Sequence, residues 1–136
     1  KPYSENVLYE EYVSKPSSYV LNGDLFALVG LYDWSIGAPV EYGKEEAERG
    51  FSAGIKSIEI ILPYYDYDGW SAYDLMQYTY GTSANLVNNY SHNCHIYLLS
   101  TLTEVTKSEI LRTYADIFKE YVADDFWRQT DMLYKE

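Results

Sequence analysis

Between Tyr73 and Ile96 the chain reads YDLMQYTYGTSANLVNNYSHNCHI, a run holding four tyrosines, four asparagines, two histidines and the sole cysteine, Cys94. His92 and His95 stand three apart, which on a helix turns both imidazoles to one face, as a zinc site would require. Two ligands do not complete such a site, Cys94 falls on another side of the turn, and the sequence offers no evident third ligand. No metal and no other cofactor is therefore expected, and hydrogen-bonded structural or substrate-lining roles suit the histidines better. Tyrosine and asparagine point to different chemistry. A phenol is a rigid arm that stacks on rings and donates one hydrogen bond, and an amide both donates and accepts, so together they suit a sugar. With 17 tyrosines in 136 residues a lone tyrosine carries little weight. A second segment of the same character gives the pattern weight, and YEEYVSKPSSYVLNG, from Tyr9 to Gly23, is one.

Composition narrows the partners. Twenty-one acidic against 10 basic residues leave a net charge of -11, which speaks against nucleic acid, because neutralising phosphates takes clustered Lys and Arg. It also disfavours an anionic membrane surface. The sequence as given has no leader and no apolar run long enough to span a bilayer, so no membrane contact by this segment is expected. One domain is the expectation at this length. A single cysteine forms no internal disulfide and leaves the compartment open.

The elements that must position these residues follow a doubled scheme of loop, helix, helix. After an irregular stretch through residue 21, Asn22 can cap a helix running to about Trp34, apolar nearly all round through Leu25, Phe26, Leu28, Val29, Leu31 and Tyr32. Gly37 and Pro39 end it. From Gly43 a second helix spaces Ala47, Phe51, Ile55, Ile58 and Leu62 by three and four, opposite a wet face of Lys44, Glu45, Glu48, Lys56 and Glu59; Pro63 closes it. Gly50 and Gly54 within it would let a neighbouring helix approach. In the second half, a helix from about Ser91 to Glu104 sets His92, His95, Ile96, Leu99 and Leu102 on one side. Thr106 with Glu109 reads as a capping box for a last helix carrying Ile110, Leu111, Tyr114, Ile117, Phe118, Tyr121 and Val122. DDFWRQTDMLYKE, at the end, reads as a helix extension packing on a neighbour outside this segment.

The fold class is therefore mainly α: two αα-hairpins forming part of an (α/α) toroid or barrel, with irregular or short-strand loops at one end. If the more buried helix of each hairpin runs the same way, the Tyr9 to Gly23 segment and the Tyr73 to Ile96 segment meet at one mouth. Half a toroid would leave an apolar edge, open to pairing as a homodimer.

YEEYVSKPSSYVLNG, FALVGLYD, YDL followed by SANL, and the His92 and His95 spacing before IYLLSTL resemble the C-terminal part of the D-glucuronyl C5-epimerase family. The match runs from about Tyr9 to Val122 in the family's order. The resemblance implies that residues 1–136 are a C-terminal helical, catalytic domain, normally following β-rich sequence. It implies an anionic heparan- or heparosan-type polysaccharide as substrate, with D-glucuronate converted to L-iduronate. For a eukaryotic member it implies the Golgi lumen or secretion. By resemblance Glu11 falls at a catalytic glutamate, Tyr12 at a supporting tyrosine and Tyr73 at the tyrosine of YDL. The family tyrosine just before the first histidine is Ser91 here, with Tyr90 one residue earlier, so Tyr90 is the third catalytic candidate. Where the family often has a basic residue after YDL, this chain has Met76. Lys15 and Arg49 are the cations that folding could bring near. Tyr12, Asn22, Asn85, His92 and His95 are the expected substrate-binding residues; Asn22 and Asn85 would also pin loop backbone, and Asp74 would cap or brace the loop.

The implied reaction removes a hydrogen beside a carboxylate, so the enolate-like intermediate needs donors or a cation. Inversion needs a base on one ring face and an acid on the other. A tyrosine acid works as it stands, whereas a tyrosine base, with an ordinary pKa of ~10, needs a nearby cation. Two other readings remain: a polysaccharide lyase, which shares the proton abstraction but expels the glycosidic oxygen, and a non-catalytic module that binds carbohydrate or a partner.

Overall fold

Leu21, Asp24, Leu25 and Leu28 fall on one helical stripe, and they are the buried residues of α1 (Leu21–Gly37). The computed structural model describes residues 7–134, with side chains to residue 124. Four further helices follow: α2 (Lys44–Ile61), the single turn α3 (Met76–Thr79), α4 (Asn89–Thr106) and α5 (Glu109–Tyr134). α1 pairs with α2 and α4 with α5, and α1 also packs on α4, so the two hairpins share one core. Leu25, Leu28, Ile58, Leu62, Leu99, Leu102, Leu111 and Phe118 are fully buried there. Burying such a side chain contributes roughly 1.5–3 kcal/mol. Among the described residues the only β pairings are two isolated bridges, Asp66 with Ser71 and Ala72 with Leu86. The chain is thus mainly α, and the two hairpins do not by themselves close a ring.

Two expected caps are corrected. Asn22 does not cap α1: the N-cap is Val20, without a side-chain bond, and the Leu21 amide donates to the Tyr73 carbonyl at 3.0 Å. A tertiary partner has replaced the local one, and Asn22 lies inside the first turn with its Oδ1 buried and unpartnered among the described residues. Thr106 belongs to the end of α4, where its hydroxyl donates to the Leu102 carbonyl. The cap of α5 is Ser108, whose Oγ accepts from the Leu111 amide at 3.3 Å, because Lys107 takes a left-handed φ of 59° and ends α4 first.

α1 is also less enclosed than its composition suggests, with Phe26, Trp34 and Ile36 each more than half exposed; α2 and α4 cover one stripe and leave the rest. The close approach at Gly54 is as expected. A Cβ there would run into the Leu28 side chain on α1 and come within 3.0 Å of the Tyr9 ring. α5 extends through Tyr134, beyond the amphipathic stretch that ends at Val122; the packing expected of its last side chains lies outside the described residues.

Candidate functional site

Three backbone segments lie side by side at one end of the hairpins. Leu21 N–H donates to the Tyr73 carbonyl, Leu75 N–H to the Ser18 carbonyl at 2.9 Å, Tyr73 N–H to the Asn85 carbonyl at 2.7 Å, and Val87 N–H to the Ser71 carbonyl at 3.1 Å. The loop before α1, the YDL segment and the loop before α4 therefore form one layer, with Tyr73 gripped from both sides. The Tyr80 hydroxyl adds a bond to the Pro16 carbonyl at 2.6 Å. The two Tyr- and Ser-rich segments do meet at one mouth.

Glu11 reaches this mouth from an extended segment fastened along the α1–α2 hairpin. Val7 N–H donates to Ser57 Oγ at 2.6 Å, Tyr9 N–H to Asp24 Oδ1 at 2.7 Å, and the Tyr9 hydroxyl to the Gly50 carbonyl at 2.9 Å. Glu11 then lies against Gly23, where a Cβ would meet Glu11 Cβ at 2.5 Å and Oε2 at 3.0 Å. Gly23 is the cradle for the Glu11 side chain, and any larger residue would displace it.

Tyr73 is half-buried. Burial pushes its phenol above the ordinary range, and the Glu11 charge, the Tyr12 ring, a hydrogen bond with Tyr12 and the Asp74 charge push the same way. Glu11, Tyr12 and Tyr73 thus form one group in which the phenol keeps its proton. Asp74 is buried beneath them. Its Oδ1 accepts from the Met76 amide at 3.2 Å and its Oδ2 from the Asn85 amide side chain at 3.5 Å, which is the bracing expected of it. Asn85 pins Tyr73 through its backbone carbonyl as well. Tyr90 is not drawn into this group. It stands on the first turn of α4, 78% exposed, and makes no side-chain hydrogen bond or ring contact among the described residues. Arg49 lies on α2 and pairs with Glu46 at 3.8 Å; Lys15, exposed, is on the site loop itself.

His92 and His95 are fully buried, so of the two roles open to them this geometry displays the structural one. His92 Nε2 lies 2.8 Å from the Phe118 carbonyl, which only accepts, so this nitrogen carries the proton. In the neutral ring Nδ1 is then an acceptor. Ser71 Oγ lies 2.7 Å from His92 Nδ1 and 2.8 Å from His95 Nδ1. With one proton to give, Ser71 donates to His92 and accepts from His95. His95 Nε2 is left as a bare lone pair, buried and without a partner among the described residues. Burial lowers the pKa of both rings, that of His95 to about 3, helped by His92. Trp70 closes the cluster, stacked on His92 at 3.9 Å with its indole N–H on the Val87 carbonyl at 2.6 Å. This cluster fixes α4 and α5 to the segment that carries Tyr73.

Sequence reasoning passed over Gly23, Asp24 and Ser71. Asp24 had a signal, a carboxylic acid on the buried stripe between Leu21 and Leu28. Ser71 had none, because its partners are 21 and 24 residues away. Among the described residues no three His, Cys, Asp or Glu side chains are grouped to hold a metal ion, and no helix is long and apolar enough to cross a membrane.

A family model described as the D-glucuronyl C5-epimerase C-terminus matches residues 1–120. The chain is 39% identical over 119 residues to a D-glucuronyl C5-epimerase of Caenorhabditis elegans, covering 82% of this chain and 19% of that protein. It is 35% identical over 68 residues to an uncharacterized protein of Methanocaldococcus jannaschii, covering 50% of this chain and 21% of the relative. It spans about a fifth of the length of these relatives.

Proposed function

This chain belongs to the D-glucuronyl C5-epimerase C-terminal family, and from that premise we propose that it is the C-terminal catalytic segment of a uronate C5-epimerase. The substrate of this reading is a heparan- or heparosan-type polysaccharide, in which D-glucuronate becomes L-iduronate. A toroid completed by further helical hairpins would enclose the sugar. The observation that carries the reading is the grouping of Glu11, Tyr12 and Tyr73, contributed by two distant loops and held by one layer of backbone bonds.

In this mechanism the Glu11 carboxylate takes the proton from C5. The electron pair of the C–H bond moves into the adjoining carboxylate, giving an enediolate-type intermediate. Tyr73 returns a proton to C5 from the opposite face. That division follows from the site's environment: burial, and after it the surrounding negative charge, raises the Tyr73 phenol, so it holds its proton near neutral pH and has one to give, while Glu11 is free to accept one. Lys15 is the cation on the same loop that could offset the substrate carboxylate; with Met76 where the family often has a basic residue, that role has few other candidates on this mouth.

The test is solvent exchange. In the intact protein carrying this segment, deuterium from solvent should enter C5 of uronate residues, and Glu11→Gln or Tyr73→Phe should slow that entry by on the order of 100-fold or more. An unsaturated product absorbing in the ultraviolet would replace this reading with a lyase. Polysaccharide binding that survives Glu11→Gln in a protein showing no exchange would replace it with a non-catalytic binding module.

A further inference from the structure

We propose that Asp24 is a positioning residue for Glu11, its buried carboxyl pinning the Tyr9 amide and so setting where the Glu11 side chain leaves the backbone. The inference rests on the role given to Glu11 above.

Asp24 is 3% exposed, in the first turn of α1. Its Oδ1 takes the Tyr9 N–H at 2.7 Å, two residues before Glu11, while its neighbour Gly23 receives Glu11 directly. One turn of helix therefore supplies both the anchor and the cradle. The ties farther back, Ser57 to Val7 and Gly50 to the Tyr9 hydroxyl, fasten the segment to α2 but do not fix its exit towards Glu11. A serine or asparagine would supply a neutral acceptor at this place, yet the residue is an acid.

The second oxygen, Oδ2, has no partner among the described residues, and neither does Glu10 Oε1. Both residues line a narrow void shared with Tyr9, Tyr19 and Tyr65, with no room for a water molecule. The ionisable groups facing Asp24 are Tyr9 and Glu10 from the entering segment, Tyr19 from the loop before α1 and Tyr65 from the turn after α2; Asp74 also bears on Tyr65. None is a cation. The buried carboxyl is accordingly raised from 3.8 to about 7, against the lowering effect of the Tyr9 hydrogen bond. Below that pH a neutral acid pins Tyr9 in an unstrained site. Above it the buried carboxylate has only the Tyr9 N–H as a partner among the described residues, and its desolvation favours a looser seating of the pinned segment.

The experiment pairs Asp24→Asn, which keeps a neutral acceptor of the same shape, with Asp24→Leu, which keeps the branched shape and removes the acceptor. In NMR spectra of the 136-residue chain, the Tyr9 amide and Glu11 side-chain resonances should shift together as Asp24 ionises near pH 7. Both should become flat through that range in Asp24→Asn, and both should be displaced at every pH in Asp24→Leu. In exchange assays on the intact protein, Asp24→Leu should lower kcat by on the order of 10–100-fold with KM little changed, as expected when a reacting group is misplaced by about 1 Å. Asp24→Asn should restore most of that kcat and remove the decline above pH 7. Glu11 resonances that ignore both substitutions would overturn the proposal, as would equal kcat values for the two variants. Tyr9 and Glu11 resonances that follow Asp24 ionisation in a protein whose exchange survives Glu11→Gln would uphold the pinning and overturn only the catalytic reading.

Discussion

Replacing Ser71 with alanine removes one hydroxyl from a place where no solvent can substitute for it. Ser71, His92 and His95 are all 0% exposed, and the hydroxyl bonds both imidazole Nδ1 atoms at 2.7 and 2.8 Å. Alanine leaves the His95 N–H without an acceptor and the His92 lone pair without a donor. An orphaned buried polar group costs about 1–3 kcal/mol, so two cost about 2–5 kcal/mol once partial relaxation is allowed. That is a large share of the 5–15 kcal/mol typical of a domain. Urea unfolding at pH 7 is the assay, with Trp70 as a local reporter because its ring lies on His92. The midpoint should fall by roughly 1–2.5 M at an m-value of ~2 kcal/mol/M. Imidazole NMR adds a qualitative check, since the wild-type chain should hold His92 protonated on Nε2 and His95 on Nδ1. A loss below about 0.5 kcal/mol, or the opposite tautomers, would refute the proposed hydrogen-bond direction.

The pH dependence of stability should show two opposed slopes. The folded His95 pKa, lowered to about 3, favours stability above 6.5 that is lost as pH falls towards 3; the folded Asp24 pKa, raised to about 7, favours stability below 3.8 that is lost as pH rises towards 7. Between about pH 4 and 6.5 they offset each other, so Asp24→Asn should unmask the histidine slope and gain stability at pH 8. Some three pH units at ~1.4 kcal/mol each set a ceiling near 4 kcal/mol on that gain, and thermal melts across pH would show it or its absence. Gly54→Ala should destabilise by about 1–3 kcal/mol although alanine is the better helix former by ~1 kcal/mol, because its Cβ would strike Leu28 and crowd Tyr9; an unchanged or raised Tm would show that α1 and α2 part without cost. Gly23→Ala acts on the site itself, since its Cβ would stand 2.5 Å from Glu11 Cβ and 3.3 Å from Glu11 Cα, and it should displace Glu11 and lower kcat. Equal kcat in Gly23→Ala and wild type would remove Gly23 as the cradle.

The helices were largely legible in the sequence because their signals are local. α2 shows its apolar spacing plainly, α4 was expected within two residues at each end, and α5 follows its amphipathic stretch before running on past it. The ends were harder. Asn22 looks like a cap, yet the orphan amide of Leu21 is taken by the Tyr73 carbonyl, 52 residues away in sequence, and no nearest-neighbour rule sees that. The Thr106 and Glu109 pair fits a capping box on paper, but the left-handed turn at Lys107 moved the cap to Ser108.

The candidate site divides in the same way. Residue type and local spacing picked out the two histidines on one helical face and Asp74 as a brace, and family resemblance added Glu11, Tyr12 and Tyr73. Which of them share a surface was decided by three loop segments exchanging backbone bonds. That layer put Glu11 and Tyr12 beside Tyr73, left Tyr90 exposed on α4, and sent both histidines into the core. Sequence alone determined where the chain is helical and which side chains could do acid and base chemistry, since helical period and side-chain pKa are properties of short stretches. Only the tertiary structure decided which acid is buried, which is presented and which imidazole keeps its proton where, because burial, charge and hydrogen bonding are set by residues far apart in the chain.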